Sequence, residues 1–184
     1  QHQMYNAGHF FEMAVEQSRL TGNPQAITAA QRFANHIDGQ FGPSKRYDVD
    51  GHQEVELALI KLYRATGDRH YFDLAKFFLD ERGYQHGTER KPLDPAAQVE
   101  PKRPTGQLDA EQRRAAFHAQ LRWRNGRMQD HKPVIEQREA VGHAVRAGYM
   151  YAAMADIARF SDAPEYAKAL DAIWNDIVSR KLYI

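Results

Sequence analysis

The chain of 184 residues contains no cysteine. That excludes disulfides, thiolate metal sites and a cysteine nucleophile from this stretch, and it leaves the compartment open. Charge of one sign is also missing. There are 25 Lys and Arg against 24 Asp and Glu, a formal net charge of +1, so no global field draws in nucleic acid or an anionic membrane. No apolar run approaches the roughly 18 residues needed to span a bilayer. There is no His-Glu-x-x-His, no phosphate loop and no Gly-x-Ser-x-Gly elbow. Proline stays out of the periodic stretches: Pro43, Pro133 and Pro164 fall at expected helix starts or in turns. The chain opens on "QHQMYNAGHFF", already in a helical pattern, and closes on "SRKLYI" with no terminal breaker. Both ends therefore read as interior to a longer chain.

What is present is helical periodicity. Its spacing predicts helices at about 5–20, 25–39, 52–66, 69–82, 109–123, 134–160 and 164–181, with ends uncertain by about 2–4 residues. No stretch alternates convincingly like a strand. The helices pair through short joints, "RLTGNPQA", "RATGDRHY" and "RFSDAPEY". In the Thr-Gly-Asn and Thr-Gly-Asp turns of the first two, Gly is the expected left-handed residue after one helix, and Asn23, Asp68 or Asp162 can cap the next. Short joints make paired helices antiparallel. The second helices match at Ala26, Ala30 and Phe33, at Tyr71, Ala75 and Phe78, and at Tyr166, Leu170 and Ile173. The fold class expected is all-α, a degenerate repeat of helical hairpins. Met150, Met154, Tyr166 and Trp174 read as core. Residues 84–133 are irregular, with the Pro- and charge-rich "KPLDPAAQVEPKRPTG" at Lys91–Gly106. Arg113, Arg114, Arg122 and Arg124 in the following stretch read as a solvated face rather than a nucleic-acid site.

Three Gly-His pairs stand near helix starts: Gly8–His9, Gly51–His52 and Gly142–His143. Hairpins laid side by side in a ring point all their first helices one way, so three imidazoles are expected around one mouth. The glycines are expected to let a ligand approach the backbone. The positive helix N-terminus disfavours imidazolium, and a neutral imidazole, with one donor and one acceptor nitrogen, suits a polyhydroxylated ligand. Glu54 and Glu139 lie a turn away. Tyr5, Phe10, Phe11 and Tyr149 are expected as apolar walls. A lone histidine near a helix start usually caps or packs, but packing does not require the same residue three times. Three histidines also suit a metal, though a repeat does not show that their nitrogens converge. His131, just before Pro133, is a fourth candidate, with ordering of that segment as the competing role.

Taken in order, "MYNAGHFFEMAVEQSRLTG", "GHQEVELALIKLYRATGDRHYFDLAKFFLDERG", "QDHKPVIEQREAVGHAVRAGYMYAAMADIA" and "LDAIWNDIVSRKLYI" resemble the beta-L-arabinofuranosidase family of glycoside hydrolases, family 127. The resemblance spans nearly the whole chain except Lys91–Arg127. It implies the N-terminal part of an (α/α)6 toroid over residues 1–184, with an irregular insertion at about 88–127. It also implies retaining release of terminal beta-L-arabinofuranosyl units from plant glycans. In that family a zinc-bound cysteine thiolate attacks and a glutamate is the acid/base; retaining glycosidases more usually pair two carboxylates. Carried over to this chain, His9, His52 and His143 match sugar-binding positions, and His131 and Glu54 match motif positions of less defined role.

The departures follow from the same comparison. The family's acid/base, cysteine nucleophile and zinc ligands fall outside these residues, so no catalytic residue, metal ligand or cofactor is expected within them. Zinc is implied only for the intact protein. The expected partners are an arabinofuranoside-containing carbohydrate and the remaining half of the catalytic domain, with no nucleic acid and no membrane. Two other readings stay open: the same toroid acting on or binding a different sugar, and a helical-repeat interaction module without catalysis.

Overall fold

Two Thr-Gly turns set the spacing of the architecture. Thr21 Oγ1 donates to Gln17 O at 2.8 Å and accepts from Asn23 N at 3.1 Å. Thr66 repeats this with Leu62 O at 2.8 Å and Asp68 N at 3.2 Å. Between them, Gly22 at φ +70° and Gly67 at φ +75° take the left-handed conformation that ends each helix. The computed structural model describes residues 2–85, 91–92, 108–113 and 126–182. It contains three helical hairpins: α1 (Gln3–Thr21) with α2 (Gln25–Gln40), α3 (Glu54–Thr66) with α4 (Arg69–Glu81), and α5 (Ala144–Phe160) with α6 (Pro164–Asp176). Asp68 caps α4 by accepting from His70 N, and Asn23 accepts from Gln25 N at 2.9 Å. The expected cap from Asp162 is not made: α6 starts on Ala163 with Pro164 in its first turn, and no side-chain oxygen caps it.

The first helices form one layer, with α3 packed between α1 and α5. Residue 8 meets residue 54 and residue 12 meets residue 61, so α1 and α3 run the same way. Being central, α3 is buried on nearly every side, by Val55, Ala58, Leu59, Ile60 and Leu62 among others. The core continues through Phe11, Phe72, Phe78, Met150, Met154 and Tyr166. Met150, Met154 and Tyr166 are core as expected; Trp174 is not, being 63% exposed. Phe33 is also on the surface, at 40%.

The helix expected over 134–160 begins ten residues later than expected. Val134–Glu136 is a 3-10 turn, residues 137–143 are not helical, and α5 begins at Ala144. The cause is side-chain capture of the backbone. Buried Gln129 donates its amide to Val141 O at 2.9 Å and His143 O at 3.2 Å, and buried Gln137 donates to Gln129 O at 2.8 Å and Lys132 O at 3.0 Å. Gly142, at φ +78°, seals the bend. The last helix runs as α only to Asp176 and finishes in a π-turn, Ile177–Lys181. A two-residue antiparallel pairing, Tyr84–Gln85 with Lys91–Pro92, was not expected. The expected helix at 109–123 is seen at 110–113, where Asp109 and Gln112 bond reciprocally as a capping box. Most of the expected insertion, and Arg114, Arg122 and Arg124, lie outside the described residues.

A buried ion pair ties the second hairpin to the segment before α5. Arg82 meets Glu56 at 3.0 Å with both side chains sealed from solvent, and it also donates to Asp50 O and Met128 O. Removing one partner of such a pair strands the other charge and costs about 3–5 kcal/mol.

Candidate functional site

The glycines of the three Gly-His pairs make room for protein. A Cβ on Gly8 would stand 2.6 Å from Glu54 Cγ, so glycine is what lets the start of α3 press against α1. A Cβ on Gly51 would meet Met128 Sδ at 2.9 Å, and one on Gly142 would meet Gly126 O at 1.9 Å. The expectation that they admit a ligand is thereby corrected. The three histidines are also not in matched positions: His52 precedes α3 and His143 is the N-cap of α5, but His9 lies in the second turn of α1.

Even so, two of the rings come together. Tyr5 sits between them, with ring centroids 4.4 Å from His9 and 4.3 Å from His52. Tyr149 of α5 closes the group, 5.5 Å from His52 and 6.2 Å from His9. His143, exposed at the start of α5, is near enough to act on the charge of His52. Of the expected walls, Tyr5 and Tyr149 lie beside the histidines; Phe11 is fully buried core, edge-to-face with Phe33, and Phe10 packs against that core. His131 is half-buried in the segment before α5 and makes no ring contact with the others among the described residues; the charges acting on it are Lys132, Glu139 and Asp130.

Behind His9 lies a carboxyl pair. His9 Nδ1 is 3.3 Å from Glu54 Oε1 and 3.6 Å from Glu12 Oε2. Lys61 is ion-paired to the other oxygen of Glu12. Glu54 is fully buried while the His9 side chain is 41% exposed. Burial, then its contact with Glu12, raises the Glu54 carboxyl to about 8. Burial also pushes Glu12 up, but the hydrogen bonds from Lys61 and Glu54 and the Lys61 charge outweigh it, so Glu12 ends below the usual carboxylate range. One proton thus resides on Glu54 and the negative charge on Glu12. His52 is lowered to about 4, first by burial and then by Arg146, His143, His2 and His9. It is neutral at pH 7, as expected, but burial rather than a helix dipole is the main cause. Arg146 brings a guanidinium whose Nε and Nη1 are buried without hydrogen-bond partners.

The sequence reading missed Glu12, Lys61, Arg146 and the glutamines that hold the approach to α5. Glu12 carried one signal: it is one turn from His9 on the same helix. A cavity of about 800 Å³ lies between α1, the end of α2 and residues 46–50, and is lined by His2, Asn6, His36, Arg46 and Asp48 among others; neither His9 nor His52 is in its lining.

His9, Glu12 and Glu54 each offer one donor atom within 4.8 Å of the others. Lys61 already supplies the positive charge there, and the set holds no sulfur. It does not fit the zinc–thiolate centre that the resemblance implies, for which this chain has no cysteine.

Hairpins of this kind, side by side with their first helices in one layer, are part of an (α/α)6 toroid. The model of the beta-L-arabinofuranosidase GH127 catalytic domain matches residues 1–184, and the chain belongs to that family. It is 35% identical over its whole length to a non-reducing end beta-L-arabinofuranosidase of Bifidobacterium longum subsp. longum, 26% of which it covers. Two solved structures superpose with a TM-score of 0.75. One is a GH127 beta-arabinofuranosidase, 40% identical over 99% of this chain and 23% of its own. The other is a GH127 beta-L-arabinofuranosidase from Geobacillus stearothermophilus T6, 34% identical over 100% and 26%. The chain therefore spans about a quarter of the length of these relatives.

Proposed function

We propose that this chain is the sugar-holding side of a retaining beta-L-arabinofuranosidase that removes terminal beta-L-arabinofuranosyl units from plant-type glycans. In this reading the rest of the catalytic domain supplies the nucleophile, the acid/base and the zinc, and these residues alone do not hydrolyse a glycoside. The observation that carries the reading is the gathering of His9 and His52 around Tyr5 and Tyr149 at the junction of three helices. Family membership supplies the substrate class.

A sugar hydroxyl both gives and accepts a hydrogen bond, and so does a neutral imidazole. His52, held neutral, is suited to such a hydroxyl, and the tyrosine rings offer apolar faces to the ring carbons. His143 lies at the rim of the same group. The unpartnered nitrogens of Arg146 are donors of the kind that hydroxyl-rich ligands satisfy. His131 enters as part of the segment that presents His143. In this reading Glu54, buried behind His9, serves the sugar through His9.

In the intact enzyme, His52→Ala leaves a sugar hydroxyl and its neighbours unpaired in a desolvated site. A loss of about 2–3 kcal/mol, or roughly 30- to 150-fold in kcat/KM, is expected on a p-nitrophenyl beta-L-arabinofuranoside. Kinetics within about threefold of wild type would end the reading. A substrate panel in which another furanoside is turned over faster would keep the sugar-binding role and change the sugar.

A further inference from the structure

We infer that Glu54 is a positioning residue: backed by Glu12, it receives the Nδ1–H of His9 and so turns His9 Nε2 outward as the acceptor for a sugar hydroxyl. This rests on the reading above, in which His9 meets the sugar. Four observations carry it. His9 Nδ1 lies between the two carboxyl groups, at 3.3 and 3.6 Å. The ring is not sealed, for the His9 side chain is 41% exposed while the Glu54 carboxyl that its Nδ1 faces is fully buried. Both Glu54 oxygens are buried with no donor in hydrogen-bond geometry. Lys61 pins the charge of the pair on Glu12. Contacts of this length draw in when a ligand seats the ring.

Two tautomers compete. In one, the Glu54 O–H donates a hydrogen bond to an unprotonated His9 Nδ1, and the ring's own hydrogen is on Nε2, which donates outward. In the other, that proton lies between Glu54 and Glu12, and His9 Nδ1–H points at the remaining Glu54 oxygen. The second keeps an anionic Glu12 beside an N–H rather than beside a ring lone pair, which is the favourable sign. The pKa ordering agrees with it, since burial first and then the nearby Glu12 carboxyl raise Glu54, while Lys61 holds Glu12 low against the pull of burial. The groups that face Glu54 are Glu12 and His9 from α1, Lys61 and Glu56 from its own helix, and Tyr149 from α5.

Glutamine reproduces this arrangement: its NH2 donates to Glu12 and its oxygen receives His9. Leucine abolishes it at similar volume. In the intact enzyme, Glu54→Leu is expected to lower kcat/KM as far as His9→Ala does, the double variant to be no worse than His9→Ala, and Glu54→Gln to rescue most of the loss. Nitrogen-15 NMR of the His9 imidazole should show Nδ1 protonated in wild type and in E54Q, and a mixture in E54L. The inference is overturned if E54Q is as damaging as E54L, if the losses of E54L and H9A multiply, or if a stoichiometric metal bound to wild type is lost in E54Q. Should E54L not fold, the E54Q kinetics and spectrum decide alone. Wild-type turnover in H9A would instead remove the role of His9 in sugar binding while leaving the tautomer measurement standing.

Discussion

His52 and Glu54 are two residues apart, and burial drives both toward neutrality, which moves their pKa values in opposite directions. For His52, lowered to about 4, the folded state binds fewer protons than the unfolded chain. Its contribution is complete above about 6.5 and is lost as pH falls toward 4. For Glu54, raised to about 8, the folded state binds more protons. Its contribution is complete below about 4.5 and is lost as pH rises toward 8. Between roughly 4.5 and 6.5 the two slopes oppose each other; above 6.5 only that of Glu54 remains. Stability of the intact protein is therefore expected to fall by up to about 2 kcal/mol between pH 6.5 and 8, at about 1.4 kcal/mol per pH unit per proton. Thermal melts across that range test this by comparison with Glu54→Gln, in which the decline should flatten. An equal decline in both proteins would assign it to other groups. At this scale the sequence showed which residues to watch but not what they touch. The Gly-His pairs drew attention to His9 and His52, and Tyr5 and Tyr149 were expected beside them. The glycines' purpose was misread because the atoms filling their missing Cβ volumes, Glu54 Cγ, Met128 Sδ and Gly126 O, come from distant parts of the chain. Lys61 gave no signal in the sequence, since its pairing with Glu12 is a contact between helices.

Among elements, the hairpins were legible because their signals are local. A Thr, a Gly and an Asn or Asp in succession fix a turn through bonds spanning at most four residues. The segment before α5 was not legible, because it is held by glutamine amides reaching across the fold. Gln53 donates to Met128 O at 2.6 Å and to Gln129 Oε1 at 2.9 Å, so the start of α3 grips the segment that presents His143. Gln129 itself sits at φ +55° and accepts that strain because its amide satisfies two carbonyls at once. Gln129→Ala strips Val141 O of its side-chain donor and leaves His143 O and the Gln53 amide with one partner each, Ala147 N and Met128 O. Each buried unsatisfied group costs about 1–3 kcal/mol, and partial relief from the φ strain offsets a little. A net loss of about 2–4 kcal/mol is expected in thermal or urea unfolding. KM should rise more than kcat falls, since His143 hangs from this segment and lies at the rim. A destabilised Q129A enzyme with unchanged KM would separate the segment's structural role from any part in holding substrate.

Across the whole molecule, the exposed large apolar side chains are unevenly placed. Met13, Leu20 and Phe33 belong to the first hairpin, and Val145, Trp174, Val178 and Leu182 to the third hairpin and its π-turn extension. The middle hairpin, α3 and α4, has none. In a ring of hairpins a middle unit is covered on both flanks, whereas the units on either side each offer a flank to a further hairpin. The distribution is what three consecutive hairpins of an (α/α)6 toroid require, and it follows from the hydrophobic effect rather than from chain length. Prepared as an isolated 184-residue polypeptide, the chain should therefore cover these flanks by self-association. Sedimentation is expected to show oligomers growing with concentration, with binding of an apolar dye. Replacing Leu20 and Trp174 together by Lys should reduce both while leaving the helical signal of circular dichroism in place. A monodisperse, dye-silent monomer from the unmodified chain would mean that the outer hairpins are already satisfied without neighbours, and the ring would then have to be held together by something other than these apolar flanks.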